Sequence, residues 1–219
     1  MRINKFVAGA SGISRRAADA AVQEGRVMVN GSIPQLGQAV NTGDIVLLDG
    51  NQLTRPEEPM TIMLNKPIGY VASRDGQGSK TVYDLLPAEL HALKPVGRLD
   101  KDSSGLLLLT NDGAMANRLT HPSFGKQKTY IATLDKPLND NSLEQILHGV
   151  RVEDYTSRLL LKQLGANNYE VKMFEGRNRQ IRRTFSVLNY TVTKLHRTDF
   201  GEYSLGDLAS GTYMTIVNK

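Results

Sequence analysis

The sequence predicts an α+β chain in two parts. A small helix-and-sheet module covers residues 1–53. After a linker at 54–59, a larger unit covers 60–219, with a mixed, mainly antiparallel sheet and flanking helices. Three observations carry this. Residues 51–59 are polar and include Pro56, Pro59 and the pair Glu57 and Glu58, a composition that joins units rather than packing into one. Beyond it, strand-like and helix-like segments do not alternate strictly, which argues against a parallel sheet of βαβ units. Four consecutive leucines at 106–109 read as a strand buried on both faces.

In the small module, Ser14 is placed to cap a helix over 15–24, which Gly25 ends. Residues 26–29 alternate as a short strand, and Asn30 with Gly31 is a hairpin-turn signal. A second turn at 41–44 precedes a strand at 45–48, which Asp49 and Gly50 break. In the large unit, strands are expected at 60–64, 105–110, 128–134, 158–164, 169–174, 191–195 and 213–217. Helices are expected at 81–86, 114–120, 142–148 and 178–188. The last of these carries Ile181, Phe185 and Leu188 on one apolar stripe, with Arg179, Arg182 and Arg183 on another.

Composition bounds the chemistry. The chain has 219 residues, 40% of them hydrophobic, and no apolar run long enough to cross a bilayer. The N-terminus lacks the apolar stretch of a secretion signal. There is no cysteine, and the four histidines, His91, His121, His148 and His196, show no metal-ligand spacing. A cytoplasmic protein without a metal is expected. The formal net charge is +5, and its distribution is uneven: seven basic residues and one acid, Glu175, lie between Lys172 and Arg197. Such a run is either a solvated face or a surface for nucleic-acid phosphates.

The most informative segment is residues 97–110, where Arg98, Asp100, Lys101 and Asp102 precede Gly105 and the leucines. An acidic loop held at the mouth of a buried strand is either a structural cap or a reactive group. A carboxylate kept ionised in an apolar pocket needs a cation nearby, because burial favours the neutral acid. Arg182, next to the apolar edge of its helix, is positioned to supply one.

Gly97-Arg98-Leu99-Asp100 followed by Ser103-Ser104-Gly105 and the leucines resembles the active-site signature of the RNA pseudouridine synthases. The form with Asp102 and a following Thr110-Asn111-Asp112-Gly113 is similar to the RsuA-like, ribosomal RNA group. Lys66-Pro67-Ile68-Gly69, Lys128-Thr129-Tyr130, Gln180-Ile181-Arg182 and 192–197 match further family motifs in order. The resemblance implies isomerisation of a uridine, with no cofactor, Asp100 as the catalytic carboxylate, and Tyr130 and Arg182 beside it. It implies that Leu195 lines the uracil site and that Arg98 helps displace the base or hold the RNA. Lys66 is expected to touch RNA or hold the loop, Arg179 to meet phosphates, and Asp102 to brace the loop, either by accepting backbone N–H groups or through Arg98 or Lys101.

The small module resembles the S4-type RNA-binding domain, through Arg2, Asn4 and Lys5, Ser14-Arg15-Arg16, Arg26 and Asn30. Arg15 and Arg16 stand at a helix N-terminus, where unsatisfied N–H groups favour an anion. The expected partner is ribosomal RNA, free or in an assembly intermediate, bound by a monomer. Two other readings are a non-catalytic ribosome-assembly protein and a hydrolase using Asp100 and Asp102 as a carboxylate pair.

Overall fold

The computed structural model describes residues 1–54 and 58–216. It divides into two compact units, Met1–Pro59 and Met60–Lys219. The expected linker at 54–59 lies largely outside the described residues at 55–57, and Val217, the last residue of the strand expected at 213–217, lies outside them too. Among the described residues, no helix is long and apolar enough to cross a membrane.

The first unit opens with helices α1 (Ile3–Ser11) and α2 (Arg15–Gln23). The Ser14 hydroxyl accepts from the Ala17 N–H at 3.1 Å, the capping bond its position predicts. Ile3, Phe6 and Val7 of α1 and Ala18, Ala21 and Val22 of α2 pack with Val27, Val29, Val40 and Val46 into one core. Strands β1 (Val27–Val29), β2 (Val46–Leu48) and β3 (Asn51–Gln52) form an antiparallel sheet in that order. Asn30 and Gly31 make the expected tight turn, closed by reciprocal N–H···O bonds between Val29 and Ser32, and β1 pairs along its length with β2. Asp49 and Gly50, both at positive φ, break β2 as expected and turn the chain into β3.

The second unit is built on β4 (Thr61–Lys66), β5 (Lys94–Pro95), β6 (Ser104–Thr110), β7 (Lys128–Leu134), β8 (Val150–Val152) and β9 (Tyr155–Ser157). It continues with β10 (Leu160–Gln163), β11 (Asn168–Met173), β12 (Val192–Phe200), β13 (Tyr203–Ser204) and β14 (Tyr213–Ile216). Helices α3 (Gly113–Thr120), α4 (Asp140–His148) and α5 (Gln180–Val187) complete it; residues 82–85 form a 3₁₀ turn where an α-helix is expected. The main sheet runs β10-β11-β7-β12-β6-β4-β14, with β5 on β6 and β13 on β12. Every pairing in it is antiparallel except β12 with β6. The chain is thus α+β with a mixed, mainly antiparallel sheet.

The leucine run explains the centre of that sheet. Leu107 and Leu109 enter a core with Ile62, Leu64, Ala132 and Val171, while Leu106 and Leu108 enter another with Met63, Met115 and Phe200. All four are fully buried. Each contributes roughly 1.5–3 kcal/mol of burial, which makes β6 a rigid floor for the loop that precedes it.

Candidate active site

The acidic loop is a turn closed by the Ser103 N–H donating to the Asp100 carbonyl at 3.1 Å. It leads straight into β6, and beneath it lies Lys66, the last residue of β4 and fully buried. The Lys66 ammonium donates to the carbonyls of Ser103, Pro67 and Asp100 at 2.6, 3.0 and 3.1 Å. The Gly69 N–H adds a bond to the Lys101 carbonyl at 2.8 Å. Of the two roles expected for Lys66, the geometry is that of a loop anchor; with no exposed surface it is not positioned to touch substrate. Burial pushes its pKa down to about 8, with Asp100 and Asp102 opposing and Arg197 reinforcing the shift.

The arginines distribute themselves differently from expectation. Arg179 is not inside the helix but at its N-cap, with a left-handed φ of 49°. That turn swings its guanidinium to the acidic loop. It binds the Asp102 carboxylate in a two-pronged contact at 2.8 and 3.1 Å, and its Nη1 comes within 3.7 Å of Asp100 Oδ2. Arg182 instead contacts Asp102, with its Nε 3.3 Å from the carboxylate and its Nη2 donating to the carbonyl at 2.8 Å; its Nη1 donates to the Val192 carbonyl at 2.6 Å. The cation beside the Asp100 carboxylate is therefore Arg179, and Arg182 braces the loop from behind. Asp102 does brace the loop, but through Arg179 and Arg182 rather than Arg98 or Lys101. The Arg179 hydrogen bond is the largest influence holding the Asp102 carboxyl below the usual range. Arg183 pairs with Glu153 at 2.8 Å.

A cavity of about 540 Å³ opens beside this loop, a size that suits a small-molecule or single-nucleotide ligand. Arg98, Asp100, Tyr130, Arg179 and Leu195 line it together, although they come from segments up to 97 residues apart. Tyr130 and Leu195 are buried in its wall, and Arg98 is exposed. Lys66 and Arg182 do not line it. His196 lies half-buried beside the site, its Nδ1 2.9 Å from the Ser104 hydroxyl, and burial lowers its pKa.

Lys128 and Arg197 also line the cavity, and neither carries an expected role. Register explains both: Arg197 stands opposite Tyr130 on one side and Gly105 on the other. The available signal was spacing by two, since Lys128 and Tyr130, like Leu195 and Arg197, share a strand face. An arginine on the apolar face of a strand is the anomaly that marks the position.

In the first unit, Arg2 precedes α1, and Arg2, Lys5, Arg15 and Arg16 are all exposed. Arg15 makes one long bond, Nη2 to Asn4 Oδ1 at 3.4 Å. Arg26 is engaged within the fold, bidentate to Asp49 at 2.6 and 2.7 Å and 3.2 Å from Glu24. Asn30 uses both ends of its amide, donating to Asp44 and accepting from the Ile45 N–H, each at 2.9 Å. These last two residues therefore build the module's turns, and the cations outside any ion pair among the described residues lie at the starts of the two helices.

Comparison with known proteins agrees in two blocks. The model of a family described as RNA pseudouridylate synthase matches residues 60–187, and that of the S4 domain matches residues 1–46. Ribosomal large subunit pseudouridine synthase B of Bacillus subtilis (strain 168) is 37% identical, over 96% of this chain and 89% of that protein. Ribosomal small subunit pseudouridine synthase A of Escherichia coli (strain K12) is 35% identical, over 100% and 97%. A crystal structure of a pseudouridylate synthase superposes with a TM-score of 0.71 at 33% identity, covering 99% of this chain and 96% of that one.

Proposed function

The chain belongs to the RNA pseudouridylate synthase family, in the group that carries an S4 domain ahead of the catalytic domain, and on that premise we propose that it isomerises a specific uridine of ribosomal RNA through the Asp100 carboxylate. The target base leaves the RNA stack and enters the cavity, where Tyr130 stacks on it and Leu195 packs against its edge. Asp100 assists breakage of the bond between uracil N1 and the sugar C1′. The ring turns, C5 bonds to C1′, the C5 proton is released, and N1 takes up a proton, so that the product is an isomer. Arg98 at the cavity wall fills the gap left in the RNA or holds its backbone. Residues 1–53 anchor the RNA through Arg2, Lys5, Arg15 and Arg16, and residues 60–219 carry out the chemistry.

One observation carries this reading: Asp100 and Tyr130 line one cavity, with a guanidinium 3.7 Å from the carboxylate. It favours a pseudouridine synthase over a hydrolase with paired acids, because the Asp102 carboxylate is consumed by two arginines. The test is tritium release from rRNA labelled at uracil C5. Wild-type protein releases it, and Asp100→Asn binds the RNA but does not. Binding without release by the wild type would leave an RNA-binding protein with no isomerase activity.

A further inference from the structure

We propose that Arg197 is a second catalytic residue, a buried guanidinium that receives the negative charge collecting on the uracil ring when its bond to the sugar breaks. This rests on the reading above, in which the uridine sits between Asp100 and Tyr130.

Arg197 is 2% exposed and lines the cavity. Its Nε donates to the Leu106 carbonyl at 2.7 Å, which fixes the plane of the guanidinium. Its Nη1 reaches the Tyr130 hydroxyl only at 3.5 Å, and its Nη2 has no partner. No ion pair among the described residues includes it. Burying an uncompensated cation is costly, and leaving a donor without an acceptor adds to that cost. The neighbouring cation sharpens the imbalance. Lys128 Nζ lies 5.1 Å from the centre of the Phe200 ring and the Arg197 guanidinium 5.0 Å from it. Among the described residues, the hydrogen bonds of Lys128 go to two carbonyls, at 3.4 and 3.5 Å. The two sides of the site are therefore unlike: at the acidic loop Asp100 and Asp102 are matched by Arg179 and Arg182, while on the strand side Arg197 and Lys128 have no ion pair among the described residues.

The proposed reaction supplies the missing acceptor. When N1 separates from C1′, the bonding electron pair stays with the ring and spreads over N1, O2 and O4. It is used again when C5 bonds to C1′ and the C5 proton departs. A ring stacked on Tyr130 presents its carbonyl edge to the residue opposite Tyr130 in the sheet, which is Arg197. A donor held in place within a dry site stabilises such charge without reorganising at the moment of reaction. A backbone phosphate is the poorer occupant, because a flipped base goes deeper than its phosphate and Arg197 has almost no surface.

The test compares wild type, Arg197→Gln, Arg197→Lys and Asp100→Asn on rRNA transcripts, following loss of the N1–C1′ bond in single turnovers. Arg197→Gln should lower the maximal rate about 100-fold while changing RNA affinity less than about threefold, with Arg197→Lys in between. Transcripts containing 5-fluorouridine in place of uridine should narrow the Arg197→Gln deficit, since fluorine already stabilises the departing ring. Weakened affinity at an unchanged rate would overturn the inference in favour of a phosphate contact. An equal deficit on both transcripts would overturn it in favour of a structural role. Asp100→Asn separates this from the parent reading: if it reacts like wild type, the Asp100 assignment fails, whereas an inactive Asp100→Asn beside either overturning result removes Arg197 alone.

Discussion

Gly105 and Arg197 meet across the parallel pair of β6 and β12 so closely that a Cβ on Gly105 would stand 2.2 Å from the Arg197 carbonyl oxygen and 2.6 Å from its nitrogen. The φ of Gly105 is 104°, a region that side chains rarely enter. Both contacts are with backbone, which cannot swing aside. This approach joins the acidic loop to the strand carrying Arg197 and Leu195.

Gly105→Ala should accordingly destabilise the protein by at least about 3 kcal/mol, combining backbone strain with a displaced strand. Gly113→Ala is the control, since nothing lies within 4 Å of the Cβ it would add at the start of α3. Thermal unfolding should show a fall of about 6–12 °C for the first and little change, or a small rise, for the second. A Gly105→Ala protein that melts with the wild type would show that the strands part easily there.

Lys66 makes stability depend on pH in a definite direction. Its folded pKa is near 8, against an ordinary 10.5. Between those values the unfolded chain keeps a proton that the folded protein has given up, so this residue stabilises the fold increasingly as pH rises. Below the window both states are protonated, and above it neither is. The stability difference between wild type and Lys66→Met should therefore move in favour of wild type from pH 7.5 to pH 10. Denaturant titrations at the two values measure it, and a flat difference would mean that Lys66 keeps its ordinary pKa.

Which arginine serves Asp100 is open to direct measurement. Arg179 is the one 3.7 Å from its carboxylate, whereas Arg182 holds Asp102 and two main-chain carbonyls. Arg179→Ala should lower kcat with little change in melting temperature, because it removes a half-exposed guanidinium 3.7 Å from the Asp100 carboxylate. Arg182→Ala should cut kcat by more than about 100-fold through loss of loop position, and also lower the melting temperature. A normal kcat in Arg179→Ala beside a low one in Arg182→Ala would reverse the assignment.

The first unit offers a graded set of cations. Arg15 and Arg16 are exposed with little to hold them, while Arg26 is engaged by Asp49 and Glu24. Arg15→Ala with Arg16→Ala should weaken rRNA binding and reduce its salt dependence by about two phosphate contacts. Arg26→Ala should leave both nearly unchanged, because its guanidinium is engaged by Asp49 and Glu24. Filter binding across a salt series reads all three, and a larger loss for Arg26 would mean that the Asp49 pair opens to RNA.

Much of this molecule is legible in its residues alone. Ser14 announces its helix, the strand expected at 128–134 coincides with β7, and the four leucines demand a strand buried on both faces, because these signals are local. The acidic loop and the motifs that accompany it identify the family for the same reason. Four relationships are not local. Arg179 reaches Asp102 across 77 positions and Arg182 across 80, and a single left-handed residue at the start of α5 decides which guanidinium turns toward Asp100. Lys66 becomes a buried anchor only because β4 and β6 pair in the register that sets it against Gly105. Arg197, noted in the sequence only as part of a basic run and a motif, becomes a cation without an ion pair among the described residues because β12 lies between β6 and β7. Sequence periodicity specifies which face a side chain occupies; only the packing of strands distant along the chain determines what that face meets.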